Sequence, residues 1–255
     1  MLDDIVISRA ILEEWGKDMI DSLESDVAIV GGGPAGLTAG YYLAKKGFKV
    51  VLFERKLSIG GGMWGGGMMC NKCVFQEESR AILDEFGIRY KEYRPNYFVT
   101  DSLETVSALC LSAIRAGVRI YNLISCEDVM IREERVTGLV LNWSAVDIAK
   151  LHVDPLTIRS KYIIDATGHA AEIAHIITRK IGKNLLTETG DILGEKPMWA
   201  EIGERLIVEN TKEIYPGVYV AGMACNAVFG GPRMGPIFGG MLLSGKKAAE
   251  MLIKS

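Results

Sequence analysis

The sequence predicts an α/β protein: a doubly wound, Rossmann-type (dinucleotide-binding), mainly parallel sheet with an inserted antiparallel β ribbon. Three observations carry this. The apolar run Val27–Val30 leads straight into Gly31, Gly33 and Gly36 at G-x-G-x-x-G spacing, with a helical pattern from Pro34. A second apolar run, Val50–Phe53, ends in Glu54, near the roughly 20-residue spacing at which such folds place the acid that binds ribose hydroxyls. Further buried-type runs, Tyr162–Asp165 and Val218–Ala221, alternate with helical patterns, as parallel strands joined by helices do. The glycines have separate jobs: a tight turn, close backbone approach to a pyrophosphate, and close helix–strand packing. The helix N-terminus then offers free N–H groups to phosphate.

Taken in order, residues 8–22 read as an amphipathic helix, with Ser8 as cap and Ile11, Leu12, Trp15 and Met19 on one face. It is expected to be a lid over the core or a subunit contact. Gly47 ends the helix that begins at Pro34. Residues 60–67 hold six glycines, interrupted by Met63 and Trp64, too many for a stable helix or central strand. A loop of this kind lets backbone approach a ligand, and its Met and Trp residues argue against pure surface. Helices are expected at 77–86, stopped by Gly87, and at 101–116, with Asp101 as N-cap, Glu104 at N3 and Gly117 as stop. Strands follow at about 118–122, 127–132 and 136–143, the last two joined through Glu133–Glu134. Residues 144–160 are ambiguous. A helix at 171–181 ends at Gly182, residues 183–214 read as irregular and polar, and a last helix starts near Pro236 with proline at N1. No linker divides the chain, so residues 1–255 are expected to form one domain.

Composition narrows the function classes. Of 255 residues, 49% are hydrophobic and 24% charged, with a net charge of −3 and no basic run, which speaks against nucleic acid. No apolar stretch reaches the roughly 18–20 residues a membrane span needs. The acidic start, Asp3–Asp4, lacks the order of a secretory leader. Five cysteines fit a reducing cytoplasm better than a disulfide framework.

Several residue groups are candidates for chemistry. His152 and Asp154 form an H-x-D pair whose members share a face on an extended chain. His169 ends the Tyr162–Asp165 strand beyond a Thr-Gly turn. Two imidazoles and a carboxylate suit a first-row metal with open positions; a carbonyl-bonded histidine and a surface aspartate are the plainer reading. His175, mid-helix, reads as structural. Cys70 and Cys73 make a C-x-x-C without the second ligand pair that structural zinc needs, and Cys225 follows the Gly222 turn toward the pocket. Arg233, among glycines and prolines at 230–240, suits bidentate capture of a carboxylate or phosphate.

Together, the glycine turn with Glu54–Arg55, GGGMWGGGMM, LHVDPLTI, DATGHAAE and VAGMACNAVFGGPRMGPIFGGMLLSGKKAAE resemble the thiamine thiazole synthase family in its archaeal form, over nearly the whole chain. The resemblance implies synthesis of an adenylated thiazole carboxylate from NAD, glycine and a sulfur donor, assisted by iron(II). It puts His152 where fungal and plant members carry a sacrificial cysteine, so it implies external sulfide and true turnover. It makes Asp154 and His169 iron ligands, Arg233 the clamp for the glycine carboxylate, and His152 a candidate for proton transfer. It puts NAD against Gly31, Gly33, Ala35, Gly36, Glu54, Arg55, Gly62, Val129, His152, Val153, Asp154 and Met223. Ala35 stands where many relatives have serine, so only backbone donors remain there. The resemblance also implies a homo-octamer, with the His152–Asp154 segment serving a neighbouring subunit's site. Alternatives from the same residues are a flavin-dependent oxidoreductase, a ribose-phosphate isomerase, or an NAD-binding module without catalysis.

Overall fold

A computed structural model describes residues 1–254. The main sheet has strand order β10-β11-β9-β1-β2-β6. Its parallel centre is β1 (Glu24–Val30), β2 (Val50–Glu54), β6 (Arg119–Asn122), β9 (Leu156–Asp165) and β11 (Val218–Val220), with β10 (Glu213–Tyr215) antiparallel at one edge. The antiparallel ribbon is β7 (Ile124–Arg132) and β8 (Arg135–Trp143), and β8 joins the first half of β9. Glu133 and Glu134 make its turn with positive φ, 49° and 59°, the left-handed twist that a tight hairpin needs. The doubly wound sheet with its ribbon is therefore as expected.

Alternating burial gives the sheet two cores. Ala28, Val30, Val51, Phe53 and Ile163 point to one face, with the ribbon, α6 (Glu172–Ile181) and α8 (Met223–Phe229). Val27, Ile29, Val50, Leu52 and Ile164 point to the other, with α2 (Pro34–Lys45), α4 (Ser102–Ala116) and α9 (Gly239–Ile253). Successive residues of a strand face opposite ways, and a sheet covered on both sides needs apolar residues at every position. α4 is capped as read: Asp101 accepts from Leu103 and Glu104 N–H, and Gly117 stops it at φ 110°.

Other elements differ from expectation. The first helix, α1 (Asp4–Asp21), starts earlier and is capped by Asp3, not Ser8. Ile11, Leu12 and Trp15 are exposed and only Met19 is buried, so α1 is no lid over this chain's core. Residues 77–79 are a 3-10 turn before a short α3 (Arg80–Glu85). A small second sheet, β3 (Lys72–Phe75), β5 (Tyr97–Asp101) and β4 (Tyr90–Arg94), packs beside the main one. Residues 144–160 resolve into α5 (Ser144–Ile148), an extended segment and β9. The stretch expected to be irregular holds α7 (Ala200–Glu209), and α9 begins at Gly239 rather than Pro236 because Ile237 bridges Val74 first. No described helix is long and apolar enough to cross a membrane.

Leu139, wholly buried in β8 opposite Val129 and Ile158, fastens the ribbon to the sheet. Leu139→Ala is expected to lower the unfolding free energy by roughly 3 kcal/mol, read as a lower urea midpoint at unchanged slope.

Candidate active site

A cleft of about 640 Å³ opens at the carboxyl ends of β1, β2, β9 and β11, where an open α/β sheet places its ligand and within the size range of small-molecule sites. Its floor is the glycine turn. Gly31 sits at φ +105° and donates to Phe53 O at 2.8 Å; a Cβ there would lie 2.3 Å from Ala166 O. A Cβ on Gly36 would lie 2.1 Å from Gly31 O. A Cβ on Gly33, by contrast, would meet no protein atom within 4 Å, so that position faces open cleft. Pro34 occupies the first turn of α2, and Gly33 supplies no side-chain cap, so the first-turn N–H groups are left for an anion.

One wall comes from the end of β2. Glu54 is buried, accepting from Gly32 N–H and Lys56 N–H at 2.8 Å each, one on each carboxylate oxygen. Each oxygen keeps a lone pair, so a ribose hydroxyl can still donate to it. Arg55 pairs with Glu172 in the first turn of α6. Burial raises the Glu172 carboxyl above its ordinary value, and Arg55 pulls the other way.

The opposite wall is the DATGH turn after β9. Asp165, fully buried, accepts from Thr167 N–H (3.1 Å), Thr167 Oγ1 (2.6 Å), Ile173 N–H (3.0 Å) and Ala174 N–H (3.1 Å). Burial pushes its carboxyl up while these donors favour the charged form. Thr167 Oγ1 in turn accepts from Glu172 N–H at 2.7 Å. The turn thus becomes rigid and presents His169, whose Nδ1 meets Glu195 Oε1 at 2.6 Å. That carboxylate can orient the ring and turn Nε2 toward a ligand.

The roof comes from the two glycine-rich loops. The first makes two 3-10 turns, Gly61–Gly65 and Gly67–Met69, with Met68 (φ 53°), Met69 (φ 62°) and Asn71 (φ 55°) in left-handed conformations. The second brings Arg233 to the cleft.

The cleft brings together Gly31, Gly33, Ala35, Glu54, Arg55, Gly62, His169, Met223 and Arg233. Gly36 lies just behind, packing the turn. Val129 is buried in the ribbon and does not line it. His152, Val153 and Asp154 are exposed in the segment before β9, tethered by Asn142 Nδ2 donating to Val153 O at 3.0 Å, and do not line it either. His175 is exposed on α6. Cys225 is buried and bonded to Thr211 and Ser244 rather than to the cleft. Glu172, Glu195 and Cys126 were not singled out by residue pattern for the site. An acid opening a helix just after DATGH was the available signal for Glu172.

A model of the Thi4 family matches residues 8–238. The chain belongs to the Thi4 family. It is 64% identical over 253 residues to thiamine thiazole synthase of Methanothermobacter thermautotrophicus, covering 99% of this chain and 98% of that one. Identity to the Pyrococcus furiosus thiamine thiazole synthase is 55% over 254 residues, covering 100% and 98%. The crystal structure of Thermovibrio ammonificans THI4 superposes with a TM-score of 0.98 at 52% identity, covering 100% and 98%. Membership in the Thi4 family makes the chain an enzyme of thiamine thiazole synthesis.

Thr167→Val removes a donor to buried Asp165 and the acceptor of Glu172 N–H. It is expected to cost about 1–3 kcal/mol in chemical denaturation.

Proposed function

We propose that this Thi4 family member builds an adenylated thiazole carboxylate from NAD, glycine and sulfide with iron(II), and turns over. The observation that carries the reading is one cleft that brings the N-terminus of α2 and the buried Glu54 together with His169 and Arg233.

In this reading the first turn of α2 binds the pyrophosphate and Glu54 the adenosine ribose. The adenosine-diphosphate half is a handle, and the second ribose reaches His169 and Arg233. Arg233 grips the glycine carboxylate with its guanidinium fork. Sulfur comes from solution. His152 stands where a sacrificial cysteine would be, and Cys126 is the one cysteine among the described residues that lines the cleft. Burial pushes the Cys126 thiol far up, and a thiol kept protonated is a poor nucleophile or sulfur donor.

Among the described residues of one chain, no three His, Cys, Asp or Glu side chains converge on a metal position. His169 alone does not suffice for iron. The reading therefore takes Asp154, and His152 for proton transfer, from a neighbouring copy in a homo-octamer. What supports this is the surface around them. Ile148, Leu151, Val153 and Leu156 are exposed, as are Ile5, Ile11 and Leu12 of α1, and Trp15 stacks on Trp143 at 5.6 Å to join the two regions. An apolar surface of this extent marks an association site.

Anaerobic incubation with NAD, glycine, sulfide and iron(II) is expected to yield more than one adenylated thiazole per chain by mass spectrometry. Absence of the product, or a yield that stops at one with loss of a protein sulfur, overturns the reading. Asp154→Asn is expected to lose bound iron and keep NAD binding. Mixing inactive Asp154→Asn with inactive Arg233→Ala chains is expected to restore up to about a quarter of the activity on subunit exchange, since a mixed pair of chains can form one intact site. No recovery despite exchange places Asp154 in its own chain's site.

A further inference from the structure

The loop that carries Arg233 is held from behind by α7 and the segment before it. Arg233 N–H donates to Lys196 O at 3.2 Å, and Trp199 N–H donates to Arg233 O at 2.9 Å. Asn226 Nδ2 bridges Gly203 O and Pro232 O at 3.1 Å each. At the loop's far end, where α9 starts, stands Glu204, 8% exposed. Its Oε2 accepts from Gln76 Nε2 at 2.6 Å and from Gly240 N–H at 2.5 Å. A Cβ on Gly239 would lie 1.8 Å from Gln76 Oε1, so the backbone is pressed onto this pair.

The remaining oxygen on each group, Glu204 Oε1 and Gln76 Oε1, is buried without a partner. Two stranded acceptors on side chains already joined at their other corner are costly. Turning the amide over does not help, because it sets an oxygen against Glu204 Oε2 instead. One proton resolves both. A carboxylic acid and an amide close a ring of two hydrogen bonds, N–H to Oε2 and Oε1–H to the amide oxygen.

We propose that Glu204 is a positioning residue for the Arg233 loop, carried as a neutral acid in a two-bond ring with Gln76 that pins Gly240. This rests on the place of Arg233 in the cleft and not on the ligand Arg233 takes. The surroundings agree. Burial, with a smaller push from Glu78, raises the Glu204 carboxyl to about 7 against the pull of the Gly240 and Gln76 hydrogen bonds. Among the described residues, no cation offsets this. Glu201, Arg205 and Glu209 of α7 are exposed. Lys247 of α9 is spent on Val208 O and Glu209 O, and Arg80 is paired with Glu77. Cys225 of α8 is bonded to Thr211 and Ser244.

The sign follows from the raised value. A group that holds its proton more tightly when folded stabilises the fold fully below its ordinary 4.5, and that stability is lost as pH climbs to about 7. Glu204→Gln replaces O–H with N–H and mimics the neutral acid at every pH. Relative to Glu204→Gln, the wild-type unfolding constant is expected to rise roughly tenfold per pH unit across that window. Hydrogen exchange at residues 230–240, corrected for the chemical rate, is expected to speed up as pH rises from 4.5 to about 7 and to level off above it in wild type, and to show no such rise in the variant. Infrared spectra just below pH 7 are expected to show, in wild type, a protonated-acid carbonyl band that vanishes on titration and is missing from Glu204→Gln, which separates it from the raised Asp165 and Glu172 carboxyls. The same pH dependence in both proteins, or no such band, overturns the proposal, whether or not the thiazole is made.

Discussion

Backbone meets backbone at Gly31, and the geometry of the cleft depends on that contact. Its N–H is tied to the end of β2, and its Cα lies against the carbonyl of Ala166 at the end of β9. Three strand ends are thereby drawn to one point with no side chain between them. Any Cβ at this position, already in a left-handed conformation, would push β9 away. The glycine turn, the Glu54 wall and the DATGH wall are in register with one another because this contact leaves no slack.

Around that point, polar groups rather than apolar packing set the positions that matter. Buried Asp165 gathers four donors from the turn and from α6. Glu54 ties the glycine turn to the start of the next loop. Asn226 and Glu204 hold the Arg233 loop at its two ends. Such bonds are directional and costly to leave unmade, which suits parts that must hold a ligand-facing atom in place. The two apolar cores supply the stability on which this arrangement stands, and core residues such as Met63, Met223 and Phe238 reach the cleft wall directly.

Local signals were legible where local physics decides. Asp101 and Gly117 bound α4 because capping needs nothing distant. The glycine turn, Glu54 and the strand-end rule together located the cleft. The missed parts were decided by tertiary contact. Gly203 hides α7 in the sequence, yet it is there because a Cβ would lie 2.8 Å from Met234 Cγ. Proline at 236 does not open α9 because Phe238 N–H is drawn to Val74 O first. The β4–β5 hairpin had a readable turn, Pro95–Asn96, with Asn96 at φ 69°. The His152–Asp154 pair shows the other limit: its spacing was plain, but in this chain the pair stays exposed and outside the cleft.

The strained stretch of the first glycine-rich loop has a consequence for how the molecule ages. Met68 and Met69 are 90% and 83% exposed, and Cys70 beside them is exposed while Cys73, Cys126 and Cys225 are buried. Three unshielded sulfur atoms in a row thus stand on this loop, and Met68 borders the opening itself. Air and peroxide attack accessible sulfur first, turning a soft apolar thioether into a polar sulfoxide. Oxidative wear will therefore fall on the doorway before it reaches the framework, leaving an old molecule folded but with an altered entrance.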